Sequence, residues 1–300
     1  MNYSSILINF QKEIWEFKKT LFWVPLIIAI IMIASPILQL LLMQDYQISR
    51  IFEHLTQLQD LENLQGVNHI FLAGISGIFV PFIMISLIIQ LYYFTSCLFD
   101  ERRDLSVYFW RSLPVSDALT IGVKLLTGAI VVPGIFMLAA TFVVLICLLL
   151  GLCITGVLAV GYDISLWAIW SDVDIVTNIA SVWLTLLPYA LWMFPVFAWL
   201  MLASMFANKA PFLWAILPVI VLLLVETYLV EYFNLDHRFL LPILRDYFEF
   251  GKDMLPQDIR TAESPKLVLF SMIASKVSVM ATLIGGALIY LTYWLRISRS

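Results

Sequence analysis

The chain has 300 residues, of which 62% are hydrophobic and 13% are charged. A soluble domain averages roughly 45–50% apolar and about 25% charged residues, so this composition excludes an ordinary soluble protein and indicates a membrane protein with several spans. The formal net charge of −4 provides no basic surface for nucleic acid, and no nucleic-acid partner is expected.

The first 20 residues are predicted to form an amphipathic helix. Lys12, Glu16 and Lys19 lie off a stripe of apolar side chains that recur at helical spacing: Tyr3, Leu7, Phe10, Ile14 and Phe17. A helix of this kind rests in the headgroup region of a bilayer with its apolar face toward the lipid. We therefore expect residues 1–20 to lie on the inner membrane surface.

Six runs are long and apolar enough to span a bilayer, which takes about 20 residues. Their approximate bounds are 21–43, 70–98, 120–156, 178–206, 211–232 and 267–295. The third run is long enough for two helices, which leaves a seven-span alternative, but Pro133 and Gly134 would kink one tilted helix rather than end it. The prediction is an all-α polytopic membrane protein in which residues 1–300 form a single domain with six transmembrane helices.

The lysine and arginine residues indicate how the spans are oriented, because cytoplasmic loops carry an excess of both. With six spans, both chain ends lie in the cytoplasm, and the loop 233–266 on the outer side has more acidic than basic residues. The basic residues then on the cytoplasmic side are Lys12, Lys18, Lys19, Arg102, Arg103, Arg111, Lys124, Lys209, Arg296 and Arg299.

Cysteine labelling tests this topology. Single cysteines introduced at Ser106 and Ser298 are expected to react only with a reagent added from the cytoplasmic side, because both positions belong to inner segments. A cysteine introduced at Ser264 is expected to react only from the outside. Labelling of Ser264 and Ser298 from the same side would rule out the six-span topology.

No residue pattern in the chain predicts catalysis or metal binding. The sequence contains no GxSxG, HExxH or GxxxxGK[ST] motif, so it has no P-loop for ATP phosphates. Cys97, Cys147 and Cys153 lie inside apolar runs and lack metal-ligand spacing. We expect no catalytic residue, no metal and no cofactor bound by this chain.

Two ionisable residues lie within apolar runs, Glu226 in the fifth span and Lys276 in the sixth. Such residues are costly in a bilayer and are either paired structurally or functional. At 1.5 Å per residue, Glu226 is about 9 Å and Lys276 about 13 Å below the outer surface. The similar depths predict an intramembrane ion pair, which is either structural or part of a working cycle.

The segment "ERRDLSVYFWRSLPVSD", residues 101–117, joins the second and third spans and surrounds apolar side chains with charges. An exposed apolar patch with a charged rim often binds a partner protein. The alternative is an aromatic belt, with Phe109 and Trp110 among the lipid headgroups. Ser116 or Asp117 is placed to cap the amino end of the third span.

The stretch Tyr93–Pro133 resembles the permease subunit of bacterial type-2 ABC exporters. That family has a Glu-Arg pair, then Ser-x-x-Phe-Trp-x-Ser-Leu-Pro-Val-Ser-Asp, then Lys-Leu, between its second and third membrane helices. The chain matches the motif with Glu101 and Arg102, with Ser106 and 109–117, and with Lys124 and Leu125. It departs from the motif at Leu105, where the family usually has glycine before the serine. The six-span layout fits the family along the whole chain.

The resemblance implies a cytoplasmic coupling helix that docks on a separate ATP-binding-cassette ATPase, which binds the ATP and Mg²⁺. Its residues would be Arg111, Ser112, Leu113, Pro114, Val115, Ser116 and Asp117, braced by a charge cluster of Glu101, Arg102 and Lys124. The resemblance further implies two permease subunits, identical or different, in the lipid of a bacterial cytoplasmic membrane. Helices 2 and 5 would form the transport pathway.

Two other classes of protein stay open. A membrane-embedded scaffold or assembly protein has the same composition without a transport cycle, and an intramembrane enzyme is disfavoured by the missing catalytic motifs. The substrate of a transporter is not defined by the sequence. Apolar and aromatic spans suit a hydrophobic substrate, but the bilayer demands the same residues.

Overall fold

The computed structural model describes residues 3–59, 64–104, 116–164, 166–167, 170, 175–234, 238–249 and 268–298. In this part of the chain every regular element is helical and none is a strand. The elements are α1 (Tyr3–Glu16), α2 (Lys18–Leu41), α3 (Asp45–Gln59), α4 (Leu64–Arg103), α5 (Asp117–Leu126), a π-helical turn (Thr127–Val131), α6 (Val132–Gly161), α7 (Ile175–Leu184), α8 (Leu186–Phe206), α9 (Pro211–Tyr232), α10 (Leu240–Phe248), α11 (Val268–Ser275) and α12 (Val279–Ser298).

Six segments of the described chain are long and apolar enough to cross a membrane, which indicates an integral membrane protein. They are Lys18–Gln39, Ala73–Arg103, Asp117–Gly161, Ile175–Phe206, Pro211–Tyr232 and Val279–Ser298. The all-α class and the number of spans predicted from the sequence are confirmed in this coarse form. The position of α1 on a membrane surface stays a prediction.

The third and sixth spans show where the sequence prediction was right and where it was incomplete. The third is one helical path through α5, the π-helical turn and α6, as expected for a single kinked span. The sixth candidate span begins at Val279 instead of near Leu267, because α11 is a separate helix that ends at Ser275. Lys276 therefore lies at a break between two helices, and not inside one continuous span.

The surface of α9 shows what the spans present to their surroundings. Phe212, Trp214 and Leu222 point in different directions around α9, and each has more than half of its area exposed. A soluble protein rarely exposes a continuous apolar surface of this kind. In a bilayer these side chains contact lipid, where their exposure carries no hydrophobic penalty.

The chain forms two compact units, and their boundaries fall inside long helices. The first unit comprises Met1–Glu16, Leu87–Val132 and Leu184–Ser300. Its core includes the stacked rings of Phe94 and Phe197, with centroids 4.4 Å apart. Its α8 packs extensively on α12, and a Cβ on Gly285 would lie 2.7 Å from the Phe194 ring, so glycine permits this close approach.

The second unit comprises Phe17–Ser86 and Pro133–Trp183. Its polar side chains pair across helices: Ser76 donates to Asn178 at 3.3 Å, and the indole of Trp183 donates to the Thr141 hydroxyl at 3.0 Å. Such bonds satisfy polar groups that lipid would leave without partners. The functional candidates described next all belong to the first unit.

Candidate functional site

A group of six ionised side chains brings four helices together in the first unit. Its members come from α1, α4, α5 and α12, and we call them the charge cluster: Lys12, Glu13, Glu101, Asp117, Lys124 and Arg296. Three are positive and three are negative, so the group is neutral as a whole. A buried group of charges is tolerated when its members are paired in this way.

Lys124 occupies the centre of the charge cluster. Its Nζ lies 2.8 Å from Glu13 Oε1 and 3.1 Å from Glu101 Oε1. All three side chains are at most 3% exposed, so water cannot screen these contacts. One ammonium group therefore holds two carboxylates that would otherwise repel each other.

Glu101 connects the centre to the rest of the cluster through both of its carboxylate oxygens. Oε1 accepts a bond from Lys12 Nζ at 3.2 Å, and Oε2 lies 3.2 Å from a guanidinium nitrogen of Arg296. The guanidinium also donates through Nε to Asp117 Oδ1 at 2.6 Å. Lys12 and Asp117 are 17% and 24% exposed, so they form the rim of the cluster.

Tyr93 completes the hydrogen bonding of Glu13. Its hydroxyl donates to Glu13 Oε2 at 2.9 Å, while the other carboxylate oxygen faces Lys124. Tyr93 and Glu13 are 1% and 2% exposed. Both oxygens of a deeply buried carboxylate thus have a donor, as a stable ionised group requires.

The three predicted bracing residues are divided between two places. Glu101 and Lys124 meet in the charge cluster, but the guanidinium of Arg102 donates to the carbonyls of Ser204 and Ala207, at 2.7 Å each. Neighbouring residues on a helix point about 100° apart, so Glu101 and Arg102 reach different helices. Arg102 satisfies carbonyls at the end of α8, where the helix dipole favours a cation.

Of the predicted coupling residues, Arg111, Ser112, Leu113, Pro114 and Val115 lie outside the described part of the chain. Ser116 caps α5, since its hydroxyl accepts the N–H of Leu119 at 3.3 Å, which confirms the expected cap. Asp117 follows in the first turn and binds Arg296. The connecting segment 102–116 therefore lies between Glu101 and Asp117, and both of these residues belong to the charge cluster.

Glu226 and Lys276 have partners other than the predicted ones. The Glu226 carboxylate accepts backbone N–H groups at the start of α10, from Phe239, from Leu240 at 2.5 Å and from Leu241 at 3.2 Å. The Lys276 ammonium donates to backbone carbonyls at the other end of α10, in Asp246 and Glu249, at 2.7 Å each. The direct ion pair is thus replaced by two contacts with one helix, because helix ends need external partners.

The helix α10 has a further contact through Tyr247, whose hydroxyl donates to the carbonyl of Trp192 in α8. Burial raises the pKa of Tyr247 to about 12, so the phenol keeps its proton and remains a donor. The rings of Tyr247 and Phe248 also lie about 6 Å from the ring of Trp192. Three separate contacts therefore hold this short helix in place.

The sequence contained weak indications of the residues that the prediction missed. Glu13 lies between Phe10, Ile14 and Phe17 on the apolar side of α1, and an acid at such a position needs a cation partner. Arg296 follows Thr292 by one helical turn, and both are buried in α12. Neither position indicates which residue of another helix will be the partner.

The chemistry of the charge cluster is charge pairing between helices. Among the described residues, no three His, Cys, Asp or Glu side chains are placed to hold a metal ion. Comparison of the sequence with protein-family models gives no match, and no curated protein and no solved structure matches it significantly.

Proposed function

We propose that this chain is the transmembrane permease subunit of an ATP-driven exporter of the bacterial type-2 ABC class. The motif in residues 93–133 provides the family resemblance. The observation that carries the proposal is the charge cluster, because two of its members, Glu101 and Asp117, lie on either side of the connecting segment 102–116. A connection that only joined two spans would not need both of its flanks anchored to α1 and α12.

The arrangement suits the transmission of force from the connection to the spans. A partner that pushes on residues 111–117 acts on α4 through Glu101 and on α5 through Asp117. The cluster passes the displacement to α1 and α12, since breaking a buried ion pair is strongly destabilising and the paired side chains therefore move together. The partner in this proposal is a separate ATPase subunit that binds ATP and Mg²⁺, and its closure would tilt the spans.

The rest of the proposal follows the family. Two permease subunits, identical or different, move a substrate across the cytoplasmic membrane of a bacterium, with helices 2 and 5 along the pathway. Both chain ends then lie in the cytoplasm beside the ATPase. Transport proceeds by alternating access or by lateral extrusion along the interface of the two permeases.

Replacement of Leu113 with aspartate tests the proposal. The aspartate would bury an unpaired charge in the contact with the ATPase, which costs several kcal/mol. We expect the wild-type chain, isolated from native membranes, to bring with it a P-loop ATPase of about one domain. The Leu113→Asp variant is expected to lose this subunit and its ATP hydrolysis while remaining inserted.

Asn208→Asp is the matched control, because it adds the same charge to another short connection predicted on the cytoplasmic side. This variant is expected to retain the ATPase. If the wild-type chain brings down no ATPase, the scaffold alternative is favoured. If the Leu113→Asp and Asn208→Asp variants retain equal amounts of the ATPase, the segment that contains Leu113 belongs to an aromatic belt and not to a coupling helix.

A further inference from the structure

The third span changes its hydrogen-bond pattern for one turn, at Thr127–Val131. The N–H of Val132 bonds the carbonyl of Thr127, five residues earlier, as in a π-helix. The same pattern would give the carbonyl of Gly128 a bond from residue 133, but Pro133 has no N–H. The Gly128 carbonyl therefore lacks a donor from its own helix.

The side chain of Gln90 in α4 supplies that donor. Its Nε2 donates to the Gly128 carbonyl at 2.8 Å, and its Oε1 accepts the hydroxyl of Tyr189 in α8 at 2.8 Å. A carbonyl can only accept, so the amide nitrogen must face Gly128 and the amide oxygen must face Tyr189. Gln90 is fully buried, and its amide is placed so that both ends are bonded.

Glycine at position 128 makes this contact possible. A Cβ there would lie 2.4 Å from the Phe94 ring and 2.7 Å from the Tyr93 ring, both in α4. Any larger residue would hold the turn away from α4 and out of reach of Gln90. Pro133 thus removes the helical donor of the Gly128 carbonyl, the glycine itself allows α4 to approach, and Gln90 supplies the replacement donor.

An ordinary α-helical turn would need a donor at a different place. In that pattern the N–H of Val132 bonds the Gly128 carbonyl, and Pro133 leaves the carbonyl of Ala129 without a donor instead. The carbonyl without a donor from its own helix is therefore that of Gly128 in the π pattern and that of Ala129 in the α-helical pattern. Gln90 donates to the Gly128 carbonyl, which lacks a helical donor only in the π pattern. It therefore stabilises that pattern selectively.

We propose that the π-helical turn is a two-state element, held in its π pattern by Gln90 and Tyr189 and able to convert to an α-helical turn. Conversion shifts the register by one residue, which rotates α5 by about 100° about the helix axis and moves it about 1.5 Å along that axis. α5 carries Asp117 and Lys124, so conversion withdraws both from the charge cluster. The π pattern and the assembled cluster therefore favour each other.

This inference goes beyond the proposed function, because it concerns the chain by itself and needs no ATPase. A failure to find an ATPase would leave it intact, and a rigid turn would leave the proposed permease intact. The two proposals are thus tested by separate measurements.

The test measures a distance between two spin labels in the isolated chain in lipid nanodiscs. The labels are introduced as unnatural amino acids at Ala118 on α5 and Tyr290 on α12, two exposed positions in the first unit, so the native cysteines stay in place. The wild type is expected to give one main distance. In Gln90→Leu we expect a second distance, shifted by several ångströms as α5 rotates.

Tyr189→Phe is the second variant, and it removes only the hydroxyl that orients the Gln90 amide. We expect it to show the same second distance at a smaller population. Tyr92→Phe is the control, because it removes a hydroxyl from an exposed tyrosine two residues after Gln90. A label pair at Leu213 and Tyr290, which does not involve α5, is expected to keep its distance throughout.

The proposal is overturned if the folded Gln90→Leu and Tyr189→Phe variants both keep the single wild-type distance. It is also overturned if Tyr92→Phe shows the second distance as strongly as they do, because the change would then not depend on the amide. Should Gln90→Leu fail to fold, Tyr189→Phe decides alone, and an unchanged distance there overturns the proposal.

Discussion

Replacing Lys124 with methionine is expected to remove much of the folded protein, because two buried carboxylates lose their shared cation. Methionine keeps most of the side-chain length, so the loss reports on the charge more than on packing. Removing one partner of a buried ion pair typically costs about 3–5 kcal/mol. The measurement is the fraction of protein that remains monodisperse after heating in detergent, followed by size-exclusion chromatography.

Lys209→Met is the matched control, since Lys209 is exposed in the turn between α8 and α9. We expect the Lys209→Met variant to keep the same monodisperse fraction after heating as the wild type. Lys12→Met should have an intermediate effect, because Lys12 is at the rim of the cluster. Adding Glu13→Gln to Lys124→Met removes one of the uncompensated charges and should recover part of the stability. Equal heat resistance of Lys124→Met and Lys209→Met would contradict the assignment of Lys124 as the central cation.

The six spans could be predicted from the sequence because the bilayer requires long apolar helices wherever the chain crosses it. The fifth span has the same bounds in the structure as in the prediction, 211–232, since Glu226 is the first charged residue after Pro211 and Glu231 lies only at the end of the run. The sixth was predicted too long. Hydropathy gives little weight to one lysine between two apolar runs, whereas the backbone ends α11 at that point.

The charge cluster could be predicted only in part. The family motif pointed to Glu101 and Lys124, which are 3.1 Å apart. Arg296 is 195 residues from its partner Glu101 along the chain, and Glu13 is 111 residues from Lys124. Which residues pair at such separations is determined by how the helices pack, and a single sequence contains no pattern that indicates this packing. The same reason explains why the bonds from Arg102 to the carbonyls of Ser204 and Ala207 were not predicted.

The π-helical turn was likewise beyond the sequence analysis, which expected only a kink near Pro133. Proline accounts for the absence of an N–H donor, but it does not decide between a kinked α-helix and a π-turn. That decision depends on Gln90, which approaches because Gly128 lets α4 come close. A glutamine and a glycine 38 residues apart gave no local pattern that could have indicated the contact.

Exchanging the charges of Glu226 and Lys276 is expected to damage the protein further and not to rescue it. A direct ion pair would tolerate the exchange, because the pair re-forms with its members reversed. In the structure Glu226 accepts N–H groups at the start of α10, and Lys276 donates to carbonyls at its end. After the exchange an ammonium would face donors and a carboxylate would face acceptors, so both contacts would become repulsive.

We therefore expect Glu226→Lys and Lys276→Glu each to lower the yield of folded protein, and the double variant to fall below either single one. Glu226→Gln is the matched control, because an amide oxygen can still accept backbone N–H groups, and its yield should stay near that of the wild type. Faster tryptic cleavage after Arg245, which lies in α10, would show in the double variant that this helix has come away. Recovery of the double variant to near the wild-type yield would instead mean that the two side chains meet directly. That result would contradict the assignment of Glu226 and Lys276 to the two ends of α10.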